Sequence, residues 1–341
     1  MSRIIFPWFI AALLLVAACG ERGSPVATEQ PAPPSTLAQL DKQILSDPGN
    51  AMFYAQRARF YEERDSIPKA FSDWFRAIQL DSTAAHYRVA LGDLYYRKVD
   101  LAKAEAQFTK AISLAPDSAT AWLRMAELQL VKREFQPAMQ NANEALRLDQ
   151  ENPRAYFLKG WIHQEAGDTA LAISSYRTAT ERDKDYYEAY IALGLIHAAK
   201  GDPLAMQYYN SAVDLRPRSV EAWYDRGMFA QETGQDSIAL ACYSKIKEID
   251  PANATAWYNT GYIYLEHLDR FAEARSEFSQ AISLLPNYPQ AYHNRGLAYE
   301  LDNRLDSALY DYKKALELDP GYDLAAAGLG RLQAKGVRVM R

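Results

Sequence analysis

Between Trp257 and Pro286 one hydrophobic spacing occurs twice. Trp257, Gly261 and Tyr264, with Thr260 beside them, fall on one side of a helix at steps of four and three. Ala274, Phe278 and Ala281 repeat that spacing, and Pro286 closes the second run. Leu268-Asp269-Arg270 separates the two runs and predicts a turn, so the segment reads as a helix hairpin.

Most of the chain copies this hairpin. Stepping by about 34 residues, the leading alanine of the second helix recurs at Ala70, Ala104, Ala138, Ala172, Ala205, Ala239, Ala274 and Ala308. Seven residues on come Ala77, Ala111, Ala145, Ala179, Ala212, Ile246, Ala281 and Ala315. Between them stand Trp74, Phe108, Ala142, Tyr176, Tyr209, Tyr243, Phe278 and Tyr312. The first helix carries a small residue at Ala58, Gly92, Ala126, Gly160, Gly194, Gly227, Gly261 and Gly296. Small residues there let two helices approach while aromatics fill the space beside them.

A 34-residue period with this pattern closely resembles the tetratricopeptide repeat. About eight copies are expected, beginning at Ala51, Ala85, Ala119, Pro153, Tyr187, Val220, Ala254 and Pro289. The resemblance implies an all-α fold, a right-handed α-solenoid of stacked hairpins spanning residues 36–336. Thr36 to Asp47 is expected to be an extra helix covering the first repeat, and Asp323 to Lys335 a C-terminal capping helix ended by Gly336. The copies differ in detail. Arg88 replaces the Trp or Tyr of the other first helices, the repeat at Tyr187 is one residue short, and that at Ala254 is one long. These slips predict small changes of curvature, without separate domains.

The chain's beginning reads as an address. Arg3 precedes the apolar run Ile4 to Ala18, which is short for a membrane span and suits a signal peptide over residues 1–18. Leu15-Val16-Ala17-Ala18-Cys19-Gly20 resembles the lipobox of bacterial lipoproteins, which implies cleavage before Cys19 and its lipidation. An ordinary signal peptide or a plain membrane anchor is the alternative. Acylation tethers a chain because each buried methylene adds about 0.8 kcal/mol. Residues 19–35, with Pro31-Ala32-Pro33-Pro34, have too few large apolar groups to fold and read as a flexible linker. Gly20 after the cysteine favours the outer over the inner membrane by resemblance to proteobacterial lipoproteins. The protein is expected in the bacterial cell envelope, periplasmic or surface-facing, with the leaflet left open.

Composition narrows the function. Of 341 residues, 49% are hydrophobic and 24% charged, enough to bury an ordinary soluble core. A net charge of -5 supplies no basic field for nucleic acid. Cys19 and Cys242 are the two cysteines, too few for a disulfide framework. His163 and His197 stand 34 residues apart at a packing position, and no histidine or cysteine spacing fits a metal. No cofactor and no catalytic activity is expected, because the repeats consume the chain from Thr36 onward.

Members of the resembled family bind partners along a groove lined by their first helices. Carried onto this chain, that groove comprises Tyr96, Leu123, Phe157, Trp161, Ile191, Tyr224, Met228, Tyr258, Tyr262, Glu266 and His293. Asn259 and Asn294 hold equivalent sites and resemble the asparagine ladder with which superhelical relatives grip peptide backbone. Glu62, Glu63, Asp93, Glu127, Glu165, Glu188, Glu221, Glu232, Glu266 and Glu300 accompany them, against Arg59, Arg97 and Arg154. Such a groove suits a neutral or basic extended protein segment. The Lys and Asn set that clamps a terminal carboxylate in chaperone-binding relatives is missing. These features point to a membrane-anchored scaffold or adaptor. The alternative is a carrier presenting a small molecule or glycan on an aromatic platform such as Phe157 with Trp161.

Overall fold

The computed structural model describes residues 36–338; the signal segment, Cys19 and the linker lie outside the described residues. Among the described residues every regular element is a helix, eighteen in all. They fall into two compact units, divided between Asp168 and Thr169.

The first unit holds α1 (Leu37–Ser46), α2 (Ala51–Glu62), α3 (Ile67–Leu80), α4 (Ala85–Arg97), α5 (Leu101–Leu114), α6 (Ala119–Val131), α7 (Phe135–Leu148) and α8 (Pro153–Glu165). Here α2 packs on α3, α4 on α5 and α6 on α7, and each second helix leads into contact with the next first helix. Helix α1 lies against α2 and buries Leu40 and Ile44. Its start is fixed by a capping box between Thr36 and Gln39.

The second unit holds α9 (Thr169–Arg182), α10 (Tyr187–Ala198), α11 (Leu204–Leu215), α12 (Val220–Glu232), α13 (Asp236–Ile249), α14 (Ala254–Glu266), α15 (Phe271–Leu284), α16 (Pro289–Leu301), α17 (Leu305–Leu318) and α18 (Asp323–Ala334). Its hairpins are α10–α11, α12–α13, α14–α15 and α16–α17, and α18 closes against α16 and α17. Pairs of first helices also touch, α10 with α12 and α14 with α16.

The repeated alanines explain why these hairpins close. Ala70, Ala104, Ala138, Ala205, Ala239, Ala274 and Ala308 are all fully buried, each allowing its helix to lie close to a neighbour. The aromatics between them, among them Phe108, Tyr209, Phe278 and Tyr312, are at most 1% exposed. Burying one such ring stabilises the hairpin by about 2–3 kcal/mol. At Gly194 an added Cβ would stand 2.4 Å from the Tyr209 ring, so the first helix has no room for a side chain there. Asn50, Ser118, Asn152, Ser219 and Asn253 cap the helices that follow them by accepting from a first-turn N–H.

The turn that follows each first helix from α2 to α16 uses one left-handed residue: Asp65, Val99, Arg133, Gly167, Gly201, Gly234, Asp269 or Asn303. The tryptophans at the fourth position of the repeat fix the turn between hairpins. Trp122, Trp223 and Trp257 donate their indole N–H to the carbonyls of Pro116, Pro217 and Pro251 at 2.9, 3.0 and 3.1 Å. Arg88, in the corresponding place, instead donates to Gln107 at 3.2 Å.

Candidate partner-binding face

The candidate residues lie along first helices, and the two units treat them differently. In the first unit the face is a chain of ion pairs. Arg124 meets Asp93 at 3.1 Å and Glu127 at 3.0 Å, and Arg154 meets Glu127 at 2.6 Å. Glu62 pairs with Arg97 and accepts the Trp74 indole N–H. Glu63 lies 3.5 Å from Arg64, and Glu165 3.7 Å from Arg133. The acidity read along this half of the sequence is therefore locally neutralised, because Arg64, Arg124 and Arg133 also reach those carboxylates. Burial raises the Asp93 carboxyl to about 6 against the opposing pull of Arg124. Burial, aided by Glu127, pushes the Tyr96 phenol up to about 12.

Of the aromatic and apolar candidates in this unit, Tyr96, Phe157 and Trp161 are half-buried, and Leu123 is inside at 5% exposure. Trp161 packs on the cluster containing Ala155 and Leu158.

The second unit presents a row of tyrosine, amide and unpaired carboxylate. Tyr224, Met228, Tyr258 and Tyr262 are half-buried and Glu266 is exposed. Ile191 and His293 are buried at 7% and 6% exposure, so they support the face rather than reach out from it. The Tyr258 ring lies 4.9 Å from Tyr288 and 5.6 Å from Phe278. Burial raises the Tyr258 phenol well above its ordinary value. His293 sits against Tyr312 and Tyr322 at 5.5 and 5.4 Å. Burial, followed by the Arg331 charge, lowers its imidazole to about 4 and keeps it neutral.

Both asparagines are engaged with neighbouring first-helix side chains. Asn294 Nδ2 donates to the Tyr258 hydroxyl at 2.9 Å, and Asn259 Nδ2 approaches Met228 Sδ at 3.7 Å. Each is less than a tenth exposed.

The charges of this face also sort themselves. Glu188 pairs with Arg216 at 2.6 Å, and Glu300 is gripped by Arg331 and Lys335 of the cap at 2.8 and 3.0 Å. Glu221 accepts a hydrogen bond from the Tyr187 hydroxyl at 3.3 Å. Among the described residues, Asp225, Glu232 and Glu266 meet no cation. Asp225 was not among the sequence candidates. The signal that could have found it is its register, the same repeat position as Asn259 and Asn294.

These hairpins fit one family model over most of their length. A tetratricopeptide-repeat model matches residues 89–153, 157–219 and 237–289, and two further models of that repeat match 220–253 and 289–322. The chain belongs to the tetratricopeptide repeat family.

Among curated relatives, tetratricopeptide repeat protein 36 of Caenorhabditis elegans is 43% identical over 49 residues, 14% of this chain and 27% of that protein. The chain thus spans about a quarter of that relative's length. The solved C-terminal part of a repeat protein from Cytophaga hutchinsonii is 19% identical with a TM-score of 0.61, covering 71% of this chain and 99% of that one. It shows the same fold. The structure of MamA is 25% identical with a TM-score of 0.47, covering 56% of this chain and 99% of that one. Tetratricopeptide repeats generally bind proteins or peptides and act as scaffolds without catalysis.

Among the described residues, no group of three or more His, Cys, Asp and Glu side chains could hold a metal ion. His197 Nδ1 is 2.7 Å from Asp202, and His267 Nδ1 is 2.5 Å from Asp236, both at hairpin turns. Cys242 is fully buried against the Arg226 guanidinium, and burial raises its thiol. No described helix is long and apolar enough to cross a membrane.

Proposed function

We propose that this tetratricopeptide repeat protein is a lipid-anchored adaptor of the bacterial cell envelope. It holds a neutral or basic extended segment of a partner protein against its first-helix face. The observation that carries the reading is the row Tyr224, Met228, Tyr258 and Tyr262, half-buried beside carboxylates that have no cation of their own. Half-buried tyrosines offer a large contact area at low entropy cost, and unpaired carboxylates select against acidic segments. Asn259 and Asn294, buried beneath the row, hold it through Met228 and the Tyr258 hydroxyl. The lipobox-like run ending at Cys19 supports the anchor, and Gly20 the outer membrane.

Photocrosslinking in cells tests the face. A crosslinker at Tyr262 should trap a discrete partner that one at Tyr310, 63% exposed on the second helix α17, does not. Equal trapping from both positions would overturn the reading. Palmitate labelling tests the anchor: it should vanish in Cys19→Ala, and unchanged labelling would remove the anchor from the proposal.

A further inference from the structure

Asp225 stands apart from every other carboxylate in the described chain. Of the carboxylates that are at least partly buried, it is the one that accepts no hydrogen bond and meets no cation. Other sheltered carboxylates have partners: Asp73 has Arg57, Asp311 has Arg295, and Glu277 has Lys247. The arginine next in sequence cannot serve, because Arg226 is turned to Asn210 at 2.8 Å and Cys242 at 3.4 Å.

On α12, Glu221, Asp225, Met228 and Glu232 fall at steps of four, three and four, one stripe along the helix. Asn259 of α14 reaches into that stripe through Met228. We propose that Asp225 is the floor of a subsite for one cationic side chain, a lysine or arginine of the extended segment that docks on this face. Tyr224 and Met228 flank the cation's aliphatic stem, and Glu221 and Glu232 add attraction at either end of the stripe. The inference rests on the first-helix face being the docking surface.

The state of the carboxyl agrees with a missing partner. Burial first, and Glu221 second, hold Asp225 at about 7, a penalty that an ammonium or guanidinium would relieve. Tyr209 and Tyr224, which also feel this charge, are phenols pushed upward by burial and remain neutral. A neutral segment gains nothing from the site, and an acidic one is repelled by it.

The test is selection of displayed random peptides on the full-length chain in detergent, near pH 8 so that Asp225 is ionised. Three proteins are used: the wild type, Asp225→Asn, and Asp214→Asn, an exposed carboxylate on α11 that carries the same loss of charge. The expected result is Lys or Arg enriched at one fixed register. A selected lysine peptide should bind Asp225→Asn about tenfold more weakly and Asp214→Asn within about twofold of wild type. Its norleucine counterpart should not distinguish the three. Peptides selected without a basic preference, or a preference that survives in Asp225→Asn, would overturn the subsite and leave the docking face standing. Selection of no peptide at all would overturn the docking face, and the subsite with it. Circular dichroism of Asp225→Asn guards against misfolding; an altered fold would move the test to charge reversal of the peptide's lysine against wild type, where unchanged affinity refutes the subsite.

Discussion

Replacing Gly194 with alanine tests the close approach of first and second helix. The new Cβ would lie 2.4, 2.7 and 3.0 Å from three carbons of the Tyr209 ring, where ordinary carbon contacts are about 3.5–4.0 Å. Tyr209 is 1% exposed and has Phe229 6.4 Å away, so its ring has little space to retreat into. Overpacking of this kind costs about 3 kcal/mol, while alanine's helix propensity returns about 1, leaving a net loss of about 2 kcal/mol. Thermal and urea melts followed by circular dichroism measure it, read as a shift in the transition of the second unit because repeat arrays do not always unfold as one. Two companions sharpen the result. Gly330→Ala, with no atom within 4 Å of the new Cβ, should stabilise by about 0.5–1 kcal/mol. In a Tyr209→Leu background the ring is gone, so Gly194→Ala should cost little or nothing. A Gly194→Ala protein as stable as Gly330→Ala would refute the steric account of the repeat's small residue.

Other consequences can be measured alongside. Val99 is exposed in a left-handed turn position that four of the seven equivalent turns give to Gly or Asn, so Val99→Asn should raise stability by about 0.5–1 kcal/mol in the same melts. Glu300→Gln should loosen the cap by about 1.5–3 kcal/mol, seen as faster amide exchange in α18. Burial opposes the ionised Glu300, but hydrogen bonds from Arg331, Tyr312 and Lys335 outweigh it and hold the carboxyl at about 2. That folded value lies below the ordinary 4.5, so the stabilisation is present above pH 4.5 and is lost as pH falls toward 2. Asp225 has the opposite sign. Its folded value of about 7 exceeds the ordinary 3.8, so it lowers stability progressively from pH 4 to 7. Asp225→Asn should therefore melt higher than wild type at pH 8 and alike at pH 4, and an equal gain at both would refute the assignment.

The architecture was legible because packing residues recur at a fixed spacing and each acts only on its neighbours. Ala274, Phe278 and Ala281 meet the first helix of their own hairpin, so one copy read correctly gives the others. The candidate face was legible only in part, because it depends on pairs that cross between repeats. Glu127 looked like free acidity until Arg124 and Arg154 closed on it from its own and the next first helix. Leu123, Ile191 and His293 hold groove positions in the repeat, but neighbouring side chains cover them. Repeat position gives a residue's direction, whereas exposure depends on the size of what stands in the adjoining copies.

The same argument indicates where partner specificity would reside on the proposed docking face. Residues that identify the family are constrained by contacts within a hairpin and are alike in every copy, so they cannot distinguish one partner from another. The sixth repeat position varies from copy to copy: it reads Gln56, Ala90, Arg124, Leu158, Ala192, Asp225, Asn259 and Asn294 along successive first helices. In the first unit Arg124 closes on the chain's own carboxylates, which leaves no charge for a partner to satisfy. In the second, Asp225 has no such closure, and the asparagines beside it are neutral. If the proposed docking face is correct, charge selection falls to α12 and α14, where an unmet carboxylate and an aromatic row coincide.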